Sequence, residues 1–202
     1  MPIVNGYCTL AEVKARVGIP VADTADDAII EAVIEAASRS IDRICNRVFY
    51  SSVAQVRYFD VHSGTKVFVD DLQSVTSVQT DRNLDRTFSN TVSASNYELG
   101  PLSNAAYGRP YTVIRMKPLA SDTFDIGRDM LKITGTWGWA AVPDAVNEAC
   151  IMLSQRLYRR KDAPFGVTGG GDVGQSVAIR AVDPDIDSLL VGYKRFSMAD
   201  DI

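Results

Sequence analysis

The segment from Asp26 to Val48 constrains the fold more than any other part of this sequence. Ile30, Ile34, Ala37, Ile41, Ile44 and Val48 recur at intervals of three and four, which places them on one stripe of a helix. Val33 and Cys45 widen that stripe, while Glu35 and Arg39 stand four apart on the wet side in the order that suits the helix dipole. A helix with so broad an apolar face must be covered by other elements. Asp23, Thr24, Asp26 and Asp27 crowd its N-terminal end, where carboxylates meet the unpaired amides; capping explains them better than a metal cluster does.

The covering elements are legible on both sides. Upstream, Thr9 and Glu12 have capping-box spacing, Leu10, Val13 and Val17 share a side, and Gly18 followed by Ile19-Pro20 stops the helix. Downstream, Pro143 and Asp144 suit a first helical turn. Val146, Cys150, Leu153 and Leu157 then form a stripe, with Ile151 and Tyr158 as a second contact line. Arg156, Arg159, Arg160 and Lys161 close that helix with the charge its C-terminus favours. A last short helix is expected from Pro184, capped by Asp183 and carrying Ile186, Leu189 and Leu190.

Between the two long helices the period changes from helical to alternating. Strands are expected at Gln55–Val61, Lys66–Val69, Ser74–Thr80, Tyr111–Met116 and Asp129–Trp137, separated by turn formers such as His62-Ser63-Gly64 and Asp81-Arg82-Asn83. Asp70-Asp71 reads as an aspartate turn closing the second of these strands. No repeat is present. The expected fold is α+β: a bundle of long and short helices with a small β-rich insertion between the two longest and an extended C-terminal arm. Residues 1–202 read as one domain, with a helical base at 8–50 and 143–195, the insertion at 51–137, a mobile glycine-rich loop at 166–175 and the arm at 193–202.

Composition narrows the function. In 202 residues, 46% hydrophobic and 23% charged side chains fit an ordinary core-forming chain. The 21 Lys and Arg against 25 Asp and Glu leave a net charge of −4, and residues 51–137 hold nine of each sign. Neither balance suits a protein that grips a nucleic-acid backbone, although DNA can still slide past a neutral or acidic wall. The start, MPIVNGYCTLAEVK, reads as no secretory signal, and no apolar run is long enough to span a membrane.

Candidate chemistry is thin. Cys8, Cys45 and Cys150 make no CxxC unit and sit in apolar helical patterns, so buried, reduced, inert thiols are expected. With His62 as the one histidine, a zinc site lacks ligands. His62 lies in an expected exposed turn, and no Gly-x-Ser-x-Gly elbow accompanies it. The glycines from Gly166 to Gly174 lack the following Lys-Ser or Lys-Thr of a phosphate loop. Asp183, Asp185 and Asp187 read as a helix cap and surface charge, for calcium would need an EF-type loop. Trp137 and Trp139 around Gly138 suit core packing better than base stacking. No catalytic, cofactor-binding or metal-binding residue emerges, and no cofactor is expected. What remains are residue types common at interfaces: Tyr193, Lys194, Arg195, Phe196 and Met198 in the tail, and the slack of Gly169, Gly170 and Gly171.

Four strings in order resemble the head–tail connector (adaptor, or head-completion) proteins of long-tailed bacteriophages and gene transfer agents. They are Tyr7-Cys8-Thr9-Leu10-Ala11-Glu12-Val13-Lys14 with the long helix ending in Ile41-Asp42-Arg43-Ile44-Cys45-Asn46-Arg47; Val67-Phe68-Val69-Asp70-Asp71-Leu72; Ile133-Thr134-Gly135-Thr136-Trp137-Gly138-Trp139 leading into Val142-Pro143-Asp144; and Asp185-Ile186-Asp187-Ser188-Leu189-Leu190 with Tyr193-Lys194-Arg195. The resemblance implies a non-enzymatic virion component, placed in a particle at the head–tail interface after assembly in the host cytoplasm. It implies a homo-oligomeric ring, usually of twelve subunits, with the portal protein above, a stopper or tail-completion protein below, and DNA passing through the lumen without sequence-specific binding. A small hydrolytic or metal-dependent enzyme using carboxylates, or a cellular protein-interaction adaptor, would be the competing classes.

Overall fold

The structure, a computed structural model, describes residues 2–120, 122–162 and 183–195. It is α+β, and the chain divides into two compact units: Met1–Arg47 with Val142–Ile202, and Val48–Ala141. The first unit is helical and the second holds the sheet.

In the helical unit, α1 (Leu10–Val17) carries the expected capping box, with Thr9 Oγ1 accepting from Glu12 N at 3.3 Å and Glu12 accepting from Thr9 N at 2.7 Å. Gly18, at φ 82°, closes it by donating to Lys14 O at 3.0 Å. Helix α2 (Asp27–Cys45) buries Ile30, Ile34, Ala37, Ile41 and Cys45, the expected stripe. It stops before Val48 because Asn46 turns left-handed at φ 50° and its N–H returns to Asp42 O. Helix α3 (Asp144–Arg159) is the centre of the unit and packs on α1, α2 and α4 (Pro184–Leu190).

The sheet unit orders its strands β1 (Gln55–Val61), β6 (Gly127–Trp137), β2 (Lys66–Thr80), β5 (Tyr111–Met116) and β4 (Tyr97–Gly100), all antiparallel, with the two-residue β3 (Asn90–Thr91) also on β2. β1 (Gln55–Val61) and β5 (Tyr111–Met116) have the expected bounds, and β6 begins two residues early, at Gly127, and ends at Trp137. β3 (Asn90–Thr91) and β4 (Tyr97–Gly100), with a 3₁₀ turn at Leu102–Tyr107, occupy the stretch between the expected strands at Ser74–Thr80 and Tyr111–Met116. One expectation is corrected. Lys66–Val69 and Ser74–Thr80 are a single strand, β2 (Lys66–Thr80), and Asp70-Asp71 lies inside it rather than in a turn. The acids are accommodated by a register shift between Phe68 and Leu72, where β2 hands its pairing from β5 to β6; Leu72 faces Tyr111 on one side and Trp137 on the other. Leu72, Val78, Ile114, Leu131, Ile133 and Trp137 form the centre of this unit's core.

Gly138 follows β6 at φ 89°, and a Cβ placed there would stand 1.9 Å from Tyr50 O. No other residue fits this corner. Trp137 and Trp139 on either side of it are buried in the sheet unit, as their apolar area requires; Trp139 stacks obliquely on Phe49.

Candidate interaction site

The tail begins from a well-capped helix. Asp183 Oδ1 accepts from Asp185 N at 3.1 Å, and Pro184 opens the first turn of α4. Ile186 and Leu190 are buried and Leu189 half-buried, so the helix is anchored with a four-residue period rather than by the Leu189-Leu190 pair. A 3₁₀ turn, Val191–Tyr193, then reverses the chain toward the end of α2. There Arg195 N donates to Cys45 O at 2.8 Å, meeting one of the carbonyls a helix C-terminus leaves unpaired. Lys194 Nζ pairs with Asp187 of α4.

Of the interface candidates, Tyr193, Lys194 and Arg195 are therefore half-buried and fastened to the helical unit. The arm expected from residue 193 is tied down over its first three residues, because the α2 carbonyls need a donor. Phe196, Met198, Gly169, Gly170 and Gly171 lie outside the described residues. Beside the tail, a hollow of about 200 Å³ opens between α2, α3 and α4, lined by Ile44, Leu153, Leu157 and Ile186 with the Arg156–Asp183 ion pair (3.5 Å) among its residues.

At the basic end of α3, Arg156 and Lys161 are paired with carboxylates, while Arg159 and Arg160 are exposed. Lys161 and Tyr158 both donate to the Asp26 carboxylate, and Lys161 Nζ also donates to Tyr158 Oη at 3.0 Å. The Lys161 and then the Tyr158 hydrogen bond hold Asp26 below the usual carboxylate range, and the same Asp26 contact raises Lys161. Asp26 was expected to cap α2. It occupies the cap position but makes no side-chain cap bond, since Lys161, in the 3₁₀ turn Arg160–Asp162 after α3, outcompetes neutral amides.

The candidate chemical groups are taken up structurally. His62 is exposed in its turn. Asp70 binds Arg57 at 2.8 Å, and Arg57 also lies over the Trp137 ring. Asp71 is buried and accepts from Trp139 Nε1 at 3.3 Å. Among the described residues no group of three or more His, Cys, Asp and Glu side chains is placed to hold a metal. All three cysteines are buried and free. Cys8 and Cys150, distant in sequence, are brought together.

Sequence reasoning missed a set of exposed apolar side chains on the sheet unit. Val56 and Tyr58 stand outward on the edge strand β1, and Leu84, Tyr107 and Leu119 are each at least three-quarters exposed in connecting segments. Large apolar residues within turn-rich strings were the available signal.

A family model described as head completion protein matches residues 7–196. The fold is similar to that of a chain from the neck of an empty GTA particle computed with C6 symmetry, with a TM-score of 0.60 and 17% identity over 98% of this chain and 94% of that one. It is also similar to a chain from the virion of a native gene transfer agent particle, with a TM-score of 0.51 and 15% identity over the same shares. At these identities the likeness is one of fold. No curated protein matches the chain.

Proposed function

Since the chain belongs to the head completion protein family, matched from residue 7 to 196, we propose that its copies close into a ring beneath the portal protein of the capsid. Its role is structural rather than enzymatic, and its place is the head–tail interface of a phage or gene-transfer-agent particle. The ring is read as near twelve-fold, with the two units of each subunit acting as one connector domain. The observation that carries this reading is the family match across almost the whole chain; a likeness in fold to a neck computed with C6 symmetry, of which twelve is a multiple, supports it.

In this reading the portal sits above the ring, a stopper or tail-completion protein below, and DNA crosses the lumen. A net charge of −4 suits such a passage, because a strongly basic lumen would hold the DNA and oppose its release. Cyclic closure uses two different surfaces of each subunit, so apolar side chains without use in one copy have a use in the ring. Tyr193, Lys194, Arg195, Phe196 and Met198, with Gly169, Gly170 and Gly171, are our candidates for contact with the portal or a neighbouring subunit, on the strength of their residue types. Symmetry-free averaging of end-on images of intact particles tests the assembly. The expected result is a closed ring of about twelve copies; a stable monomer or two-fold dimer in the functional complex overturns it.

A further inference from the structure

We propose that Cys8 and Cys150 are a latent disulfide, which joins the N-terminal segment covalently to α3 once the particle meets an oxidising medium. The pairing stands on geometry alone, while the timing rests on the reading of the chain as a virion component.

The two sulfurs lie 3.2 Å apart, with the Cys8 thiol donating to Cys150. A disulfide needs them at about 2.05 Å, a further approach of roughly 1.1 Å. Cys8 is held in position on both flanks. Tyr7 N donates to Ser38 Oγ of α2 at 3.0 Å, Asn147 Nδ2 of α3 donates to Tyr7 O at 2.9 Å, and the α1 capping box begins at Thr9. The Ser38 hydroxyl lies 3.5 Å from the Cys150 sulfur, and Ser154 Oγ 4.0 Å from both sulfurs. The hydrogen bond from Cys8 lowers the Cys150 thiol and favours its thiolate, while that same bond, with burial, raises Cys8. Cys45, pushed up to about 11 by burial, stays protonated.

A peroxide is a sufficient oxidant, and small enough to reach a buried sulfur during local opening. The Cys150 thiolate attacks one peroxide oxygen and the O–O bond breaks, leaving a sulfenic acid on Cys150 and a hydroxide that takes up the proton lost from the thiol. The Cys8 sulfur then attacks the sulfenic sulfur; the S–O bond breaks and water leaves with the Cys8 proton. Two thiols and one peroxide give one disulfide and two waters, the sulfurs supplying the two electrons. A host cytosol keeps thiols reduced, so subunits assemble open and the bridge forms after release.

The full-length chain, treated with hydrogen peroxide, should lose about 2 Da and yield a crosslinked peptide joining residues 8 and 150. Its melting temperature should rise by roughly 5–10 °C and return on reduction. Cys45→Ser should behave the same, and Cys150→Ser should not respond. Because the mapping is done on the unaltered chain, it stands even if Cys150→Ser folds poorly. Sulfinic or sulfonic Cys150 without a bridge, or a bridge between two copies, overturns the pairing; a mapped bridge that leaves the melting temperature unchanged overturns the expected stabilisation alone. Rapidly alkylated samples should show free thiols in intracellular assemblies and the bridge in released particles. A bridge in the purified chain with free thiols in released particles overturns the timing alone; absence of the chain from particles overturns the virion reading instead.

Discussion

Replacing Lys14 with methionine should destabilise the helical unit by about 2–3 kcal/mol. Lys14 lies on α1, yet it is 1% exposed. Its ammonium donates to Asp23 O at 2.6 Å and Val21 O at 3.2 Å and forms an ion pair with Asp27 in the first turn of α2. Three donors thus meet three acceptors, and together they fasten the α1–α2 connection. Methionine keeps the apolar stem and removes every donor. Losing one partner of a buried charge pair costs about 3–5 kcal/mol, but the Asp27 side chain is 26% exposed, so water repays part of the loss. In a chain of this size the result is a fall in melting temperature of roughly 4–12 °C. Urea unfolding followed by far-ultraviolet circular dichroism should show a lower midpoint with an unchanged slope. Lys14→Arg should not rescue, since a planar fork cannot follow three acceptors spread around one nitrogen. Adding Asp27→Asn to Lys14→Met should cost less than it does alone, which identifies the pair. A Lys14→Met protein within about 0.5 kcal/mol of the parent would refute the reasoning, because only a surface lysine behaves that way.

Gly138→Ala should cost more than about 3 kcal/mol or leave the chain insoluble, because its Cβ collides with Tyr50 O at a positive φ; denaturant midpoints measure it. The Asp26 carboxyl is held below its ordinary value of 3.8, so its contribution is complete above that value and is lost as pH falls through the lowered native one. Melting temperature plotted against pH should accordingly drop on the acid side, and Asp26→Asn should flatten that limb. Asp42, raised by burial, acts in the opposite sense: its ionisation opposes folding, and acid relieves it. Asp42→Asn should therefore steepen the same limb. Ending the chain at Gly192 rather than at Arg195 should cost about 1–2 kcal/mol by removing the Arg195–Cys45 and Lys194–Asp187 contacts. Co-sedimentation of the chain ending at Arg195 with DNA-filled, tailless heads reads the attachment separately; full-strength binding would move the docking surface elsewhere.

What could be read from the sequence is what local rules determine. Alternation bounded β1 and β5, the Thr9/Glu12 pair began α1, and Asp183-Pro184 began α4, because each depends on residues within a few positions. Asn46 ending α2 was accessible in the same way, since asparagine tolerates the left-handed turn. Other features depended on partners far along the chain. Asp70-Asp71 resembles a turn until Arg57 and Trp139 are brought alongside it. Lys14 looks like part of a wet helix face until the loop at residues 21–23 supplies carbonyls. Asp26 looks like a cap until Lys161 arrives from the turn after α3. The sulfurs of Cys8 and Cys150 meet only after α1, α2 and α3 have packed. The interface candidates rested on residue type, which says what a surface can do and not where it points.

β1 and β6 are the first and last full strands of the sheet unit, and they are neighbours: Gln55 faces Gly135, and Ser52 N donates to Trp137 O at 2.9 Å. The chain therefore enters and leaves this unit on adjacent strands, about 5 Å apart. Linking two helices through a flexible segment as long as residues 48–141 would carry a loop-closure entropy that grows with the logarithm of its length. Once the sheet has formed, its ends are already together, and the helical unit is closed as though by a short turn. Residues can then be added to the far connections of the sheet, such as 81–89 or 101–110, with almost no entropic penalty on the helices.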